Sequence, residues 1–264
     1  MTFVQEEPLQ HVAYLHDGTL EGLLSAVFLS YERREEPEDI VAEGLYEPRL
    51  GQSCVRVETD FERAGRVRRG VEKAVGKQAF TAIMRASTCD DYETGRVVLS
   101  FIRYCMARSG SLKHAPVLDE LANPVVADLR RLEKRAINES EKMRQFVRFS
   151  HLENGVWFAR VNPNASVVPL VMNHFADRLN DQPFIIFDEA HGLSGVYDGR
   201  SWQLVRASAV DVPSATEHDR EMQEAWKRFY DALSVDARYN PELRRHFMPV
   251  RLWRNLVELH PCTG

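Results

Sequence analysis

The chain has 264 residues, 44% hydrophobic and 28% charged, with a formal net charge of −5. That is ordinary globular composition, long enough for a sizeable core in one large domain or two modest ones. No stretch reaches the roughly 20 apolar residues of a membrane span, and the opening Met-Thr-Phe-Val-Gln-Glu-Glu-Pro has neither part of a secretory signal, so a cytoplasmic protein is expected.

In chain order, His11–His16 reads as a short strand, and Asp17-Gly18-Thr19 breaks it. Thr19 suits the N-cap of a helix reaching about Tyr31, with Leu20, Leu23, Leu24, Val27 and Phe28 on its buried face. The acidic run around Pro37 reads as a loop, and Ser53–Glu58 as a second strand. Helical patterns then dominate: Phe61–Val75, Lys77–Ala86, Asp90–Ala107, with Ser87 or Thr88 as its cap, and Val125–Gln145, opened by Asn123-Pro124. From Phe146 the pattern changes to five strand-like runs, Phe146–Ser150, Val156–Val161, Phe184–Asp188, Leu193–Asp198 and Trp202–Arg206. A helix at Val167–Leu179 interrupts them, and two helices follow, Glu217–Leu233 and Pro241–Leu259, the second bent or broken at Pro249.

This order predicts an α+β fold: a helical middle packed with a mainly antiparallel sheet, which the N-terminal strand is free to join, and C-terminal helices. We read residues 1–264 as a single two-lobed domain, with a strand-helix-strand start (1–60), a helical segment (61–145) and a sheet with closing helices (146–264).

Motifs for phosphate loops, dinucleotide folds, zincins, serine hydrolases and zinc deaminases are absent. Cys54, Cys89, Cys105 and Cys262 never form C-x-x-C, which offers neither a zinc site nor an iron–sulfur cluster. Cys54 and Cys105 read as buried thiols, and no cofactor or metal is expected.

Charge is uneven along the chain: residues 1–60 hold 13 acids and 4 bases, leaving 26 acids and 30 bases to the rest. Arg66, Arg69, Lys73 and Lys77 fall in an arc of roughly 80° on a continuous helix, a face that either tracks phosphates or is simply solvated. Arg130, Arg131, Lys134 and Arg135 are interleaved with acids and read as surface ion pairs. Arg144 and Arg148 straddle a helix-to-strand passage among apolar residues, each either paired with an acid or aimed at an anion. Arg238, Arg244, Arg251 and Trp253 mix guanidinium and aromatic groups, suiting bases and phosphates or a protein interface. For acid–base chemistry, His174 and Arg178 share a helix face and precede Asp188-Glu-Ala-His191 at a strand end. Asp188 with His174 or His191 is the catalytic candidate; alternatively Asp188 stabilises the turn and pairs with Arg178.

Several ordered motifs resemble a bacterial family of DNA-metabolism or DNA-repair proteins of unknown mechanism. They are Tyr14-Leu-His-Asp17-Gly18-Thr-Leu-Glu-Gly22, Asn138-Glu-Ser-Glu-Lys-Met-Arg144-Gln-Phe-Val-Arg148-Phe, Pro169-Leu-Val-Met-Asn-His174-Phe-Ala-Asp-Arg178 and Gln182-Pro-Phe-Ile-Ile-Phe-Asp188. Trp226-Lys-Arg-Phe-Tyr230, Arg238-Tyr-Asn240-Pro and Met248-Pro-Val-Arg251-Leu-Trp253-Arg-Asn-Leu complete the set, which spans nearly the whole chain. The resemblance implies a gene neighbour encoding a radical-SAM DNA-repair protein, and a similar domain fused elsewhere to a uracil-DNA-glycosylase-like domain. It supplies no catalytic residues, only motif positions: Asp17, Arg144, Arg148, His174, Arg178, Asp188, Arg238, Asn240, Arg251 and Trp253. The family pattern often has a basic residue after the Asp188 turn and an aromatic before Trp253; here His191 and Leu252 stand there.

Three readings follow. The first is a DNA-binding or adaptor subunit working with a radical-SAM partner that carries the iron–sulfur chemistry, with Arg144, Arg148, Arg178, Arg238, Arg251 and Trp253 as contacts. The second is a DNA-processing hydrolase, a nuclease or glycosylase-like enzyme. The third is a non-catalytic interaction module whose arginines neutralise internal acids.

Overall fold

The computed structural model describes residues 11–108, 116–233 and 240–259. The chain divides into two compact units, Met1–Ile137 and Asn138–Gly264, and the fold is mixed α+β.

In the first unit, β1 (Val12–His16) is the centre of a three-stranded parallel sheet of order β2-β1-β3, with β2 at Asp39–Ala42 and β3 at Ser53–Arg56. Every residue of β1 is buried, as suits a central strand of a parallel sheet. The N-terminal strand therefore builds its own sheet and does not join the later one. Helix α1 (Leu20–Arg33) links β1 to β2, and its first turn is capped by the Thr19 hydroxyl, which accepts from the Gly22 N–H at 2.9 Å.

Strand β2 falls where a loop is expected. It buries Ile40 and Val41 and also the charge of Asp39, whose carboxylate accepts from Gln52 Nε2 (2.8 Å) and the Tyr92 hydroxyl (3.2 Å) and pairs with Arg49 (3.3 Å). Helices α2 (Phe61–Val75) and α3 (Lys77–Ala86) are separated by Gly76 at φ 95°, a left-handed turn that glycine adopts without strain. Helix α4 (Thr94–Ala107) starts later than its pattern suggests, with no side-chain cap; the Ser87 and Thr88 hydroxyls donate back to Met84 and Arg85 carbonyls instead. A Cβ on Gly95 would lie 2.0 Å from the Ile40 carbonyl oxygen, so this glycine lets α4 approach the backbone of β2. Helix α5 (Pro124–Phe146) opens with the Asn123 side chain accepting from the Val125 N–H. Cys105 is buried, which pushes its thiol up to about 12, whereas Cys54 is exposed on β3 rather than buried.

The second unit is built on a five-stranded mixed sheet in chain order: β4 (Ser150–His151), β5 (Trp157–Val161), β6 (Phe184–Asp188), β7 (Leu193–Tyr197) and β8 (Trp202–Arg206). Only β5 and β6 are parallel, and helix α6 (Val168–Leu179) makes the crossover that a parallel pair requires. One face packs on α6, where a Cβ on Gly195 would meet Met172 Sδ at 2.2 Å. The other buries Leu152, Phe158 and Phe187 beneath Val210 and Val212. The run expected as a strand from Phe146 is the end of α5 followed by a short β4. Helices α7 (Glu217–Leu233), α8 (Pro241–Phe247) and α9 (Val250–Trp253) close the unit, with the break at Pro249 and a 3-10 turn at Val257–Leu259. Among the described residues no helix is long and apolar enough to cross a membrane.

Candidate functional site

The carboxyl ends of β5 and β6 lie side by side, Val161 opposite Asp188. Asp188 is fully buried; its Oδ1 accepts from the Ala190 (3.1 Å) and His191 (3.3 Å) N–H groups, which folds the chain back towards β7. Its Oδ2 lies 2.5 Å from His191 Nδ1. Burial pushes the Asp188 carboxyl above the usual range, and the His191 contact pulls in the other direction without cancelling it. Next to it, Glu189 pairs with Arg160 (3.1 Å) and with Arg254. His174 stands on α6 edge-on to Phe175, ring centroids 5.0 Å apart, and no hydrogen bond joins it to Asp188. Arg178 is exposed and carries no ion pair among the described residues, so the partner of Asp188 is His191 and not Arg178.

The other motif arginines among the described residues, Arg144, Arg148 and Arg251, are occupied. Arg144 pairs with Glu141 at 2.7 Å and reaches the Leu170 carbonyl. Arg148 pairs with the buried carboxylate of Glu258 at 2.7 Å. Arg251 pairs with Glu139, which also accepts from the Asn164 N–H (2.9 Å) and lies 3.3 Å from Lys142 Nζ. Burial pushes the Glu139 and Glu258 carboxyls up, but the hydrogen bonds and charges of Arg251 and Arg148 outweigh it and hold both below the ordinary carboxylate range. Trp253 donates its indole N–H to the Met248 carbonyl (2.9 Å) beneath the Arg244 guanidinium (4.8 Å from the ring centroid), which fixes the chain around Pro249. Asn240 caps α8 by accepting from the Leu243 N–H. Arg238 lies outside the described residues.

Sequence reasoning named these arginines without their carboxylate partners. One signal was present: Leu132, Ala136, Glu139 and Met143 recur at helical spacing on the buried face of α5, so an acid sits where an apolar residue belongs.

In the first unit Asp17 follows β1 at the point where successive strands turn to opposite sides, the usual ligand-facing end of a parallel sheet. Its Oδ1 accepts from the Thr19 N–H (2.9 Å) and hydroxyl (2.5 Å). Gly22 leaves room for this turn, since a Cβ there would meet Asp17 Oδ1 at 2.3 Å. His16 Nδ1 accepts from the Gly18 N–H (3.1 Å), and burial lowers the ring to about 4, so it is neutral at pH 7. A cavity of about 50 Å³, room for a water or two, touches His16, Thr19, Ser87 and Thr94.

The dense basic segments separate sharply. Arg130 and Arg85 both pair with the buried Glu133, Arg131 lies 3.6 Å from Asp128, and Arg135 pairs with Asp91. On α2, Arg63 and Arg68 are also paired, with Glu32 and Asp60 and with Glu72. Arg66, Arg69 and Lys73 are exposed and have no carboxylate partner among the described residues; Arg66 rests over the Phe28 ring at 4.8 Å. Lys77 belongs to α3, beyond the Gly76 turn, so the stripe on α2 has three cations rather than four. No group of three or more His, Cys, Asp or Glu fit to hold a metal occurs among the described residues.

A family model described as a domain of unknown function, DUF4130, matches residues 93–258. No curated protein matches the chain.

Proposed function

The chain belongs to the DUF4130 family of unknown function, and on that premise we propose that it is a nucleic-acid-binding subunit, itself non-catalytic, that handles DNA for a partner enzyme. The observation that carries this reading is the α2 stripe of Arg66, Arg69 and Lys73. In a chain of net charge −5 whose other basic clusters are mostly spent on carboxylates, these three stay open to solvent. They span about 10 Å along the helix axis at 1.5 Å per residue, enough to follow adjacent phosphates of one strand. The partner we propose is the radical-SAM protein implied by the motif resemblance, which would hold the iron–sulfur chemistry. The α2 stripe lies in the first unit, ahead of the residues that the family model matches, so in this reading DNA contact belongs to the first unit.

The test is a titration of single- and double-stranded DNA against the protein over a range of salt. Three phosphate contacts give a log–log salt slope of about −2 to −3. The triple Arg66→Ala, Arg69→Ala, Lys73→Ala variant should lose most of that slope. Absence of salt-sensitive binding, with and without the partner, would overturn the reading.

A second reading, a DNA-processing hydrolase, draws support from the Asp188–His191 contact at 2.5 Å, an arrangement in which a carboxylate orients a general base. If Asp188→Asn, His191→Ala and His174→Ala leave nucleic-acid processing by the reconstituted system unchanged, it fails. The ion pairs of Arg144, Arg148 and Arg251 support the third reading, a non-catalytic interaction module whose arginines neutralise acids of their own unit, whereas the exposed Arg178 does not fit it.

A further inference from the structure

Helix α7 is amphipathic with its apolar face turned outwards. Met222, Trp226, Phe229 and Leu233 are 56%, 42%, 53% and 63% exposed, and steps of four, three and four residues align them in one stripe. Ala225 and Ala232, also exposed, run along one edge, and no charged residue interrupts the face. Trp226 and Phe229 stack at 5.6 Å. The side of the helix next to the stripe, roughly 50–90° round from its centre, faces its own unit: Asp219 is buried, and Gln223 donates to Ser150 Oγ (3.1 Å) and Asp219 (2.6 Å). An apolar stripe of this kind, exposed over the length of a 17-residue helix, is what interaction surfaces look like.

We propose that this face docks against α7 of a second copy of the chain, with the two helices antiparallel. The spacing suits a second copy of the same helix. Four-three-four reads the same in both directions, so an antiparallel copy sets Met222 opposite Leu233 and Trp226 opposite Phe229 along the whole contact, the self-complementarity that a two-fold interface demands. The alanine edge, Ala225 near Ala232 of the other copy, lets the backbones come close.

Area sets the strength. At roughly 200 Å² per large side chain, the four expose on the order of 400 Å², so a pair of helices buries on the order of 800–1,000 Å². That lies at the small end of specific interfaces, where association is weak and reversible. The dimer is therefore concentration-dependent.

Sedimentation velocity on the full chain, from low micromolar to several hundred micromolar, tests this. The weight-average sedimentation coefficient of the wild type should rise towards a dimer value, and Phe229→Glu should remain monomeric at every concentration with an unchanged circular-dichroism spectrum. Arg220→Glu, an equal or larger charge change on α7 off the apolar face, should dimerise like wild type. A wild type that stays monomeric throughout, or a Phe229→Glu variant that dimerises normally, overturns the proposal. So does equal loss of dimer in Arg220→Glu, which would place the contact elsewhere. These outcomes do not depend on DNA binding, which the α2 variants probe separately.

Discussion

Arg148 donates to the buried carboxylate of Glu258 at 2.7 Å, across 110 residues of sequence. The pair ties the end of α5 to the closing 3-10 turn of the same unit. Arg148→Ala leaves the carboxylate buried and unpaired, which costs about 2–4 kcal/mol, somewhat discounted because the guanidinium is partly exposed. Arg148→Ala with Glu258→Gln should recover part of the loss. Urea unfolding of the three proteins measures both; a single variant as stable as wild type would show that the carboxylate finds other partners.

His16 makes the first unit acid-sensitive in a defined window. Its folded pKa of about 4 lies below the ordinary histidine value of 6.5, so the unfolded chain binds the proton more readily. Stability is therefore complete above pH 6.5 and falls as pH drops from 6.5 towards 4, by up to about 3 kcal/mol. His16→Asn keeps an acceptor for the Gly18 N–H and should flatten that window. The carboxylates of Glu139 and Glu258, held low, lose their contribution only as pH falls below their unfolded value of about 4.3. Thermal melts at stepped pH would separate the two; an unchanged slope between pH 6.5 and 4 in His16→Asn contradicts the assignment.

Gly95→Ala should be among the costliest methyl additions in the chain. Its Cβ would lie 2.0 Å from a backbone oxygen of β2, so α4 must move, at a cost of about 3 kcal/mol. Gly44→Ala, whose Cβ meets nothing within 4 Å, is the control and should change stability by less than about 0.5 kcal/mol. Equal melting temperatures for the two would refute the close packing of α4 on β2.

Thr59 Oγ1 is buried beside Gly22 with no hydrogen-bond partner among the described residues. Thr59→Val removes an unsatisfied hydroxyl at nearly constant volume and should be neutral or stabilising by about 1 kcal/mol. A clear loss of stability would mean that the hydroxyl is engaged in solution.

Local pattern carried much of the fold. The periodicity of α2 and α3 with Gly76 between them, the Thr19 cap, and the runs at Phe184–Asp188 and Trp202–Arg206 are all short-range signals, and the structure has these elements at those residues. Strand β2 was illegible because Asp39 is buried at its start, and that burial depends on Gln52, Tyr92 and Arg49 from elsewhere in the chain. The alternation at Phe146–Phe149 fits a strand and a helix end equally well, and α5 simply continues to Phe146. The candidate site was legible only as a set of residue types. Asp188 and His191 are close in sequence and meet; Arg148 and Arg251 take their meaning from Glu258 and Glu139, over a hundred positions away. Conversely, the α2 stripe reads in sequence as either a phosphate-tracking or a solvated face, and which of its cations are paired depends on contacts that only the fold supplies.

The first strand among the described residues is also the middle one of its sheet. Because β2 and β3 both pair with β1 and not with each other, the sheet has no redundancy: any product whose synthesis began after His16 would leave two edge strands with nothing between them. Conversely, a nascent chain holds all three strands by Arg56, so this sheet can close while the rest of the polypeptide is still being made.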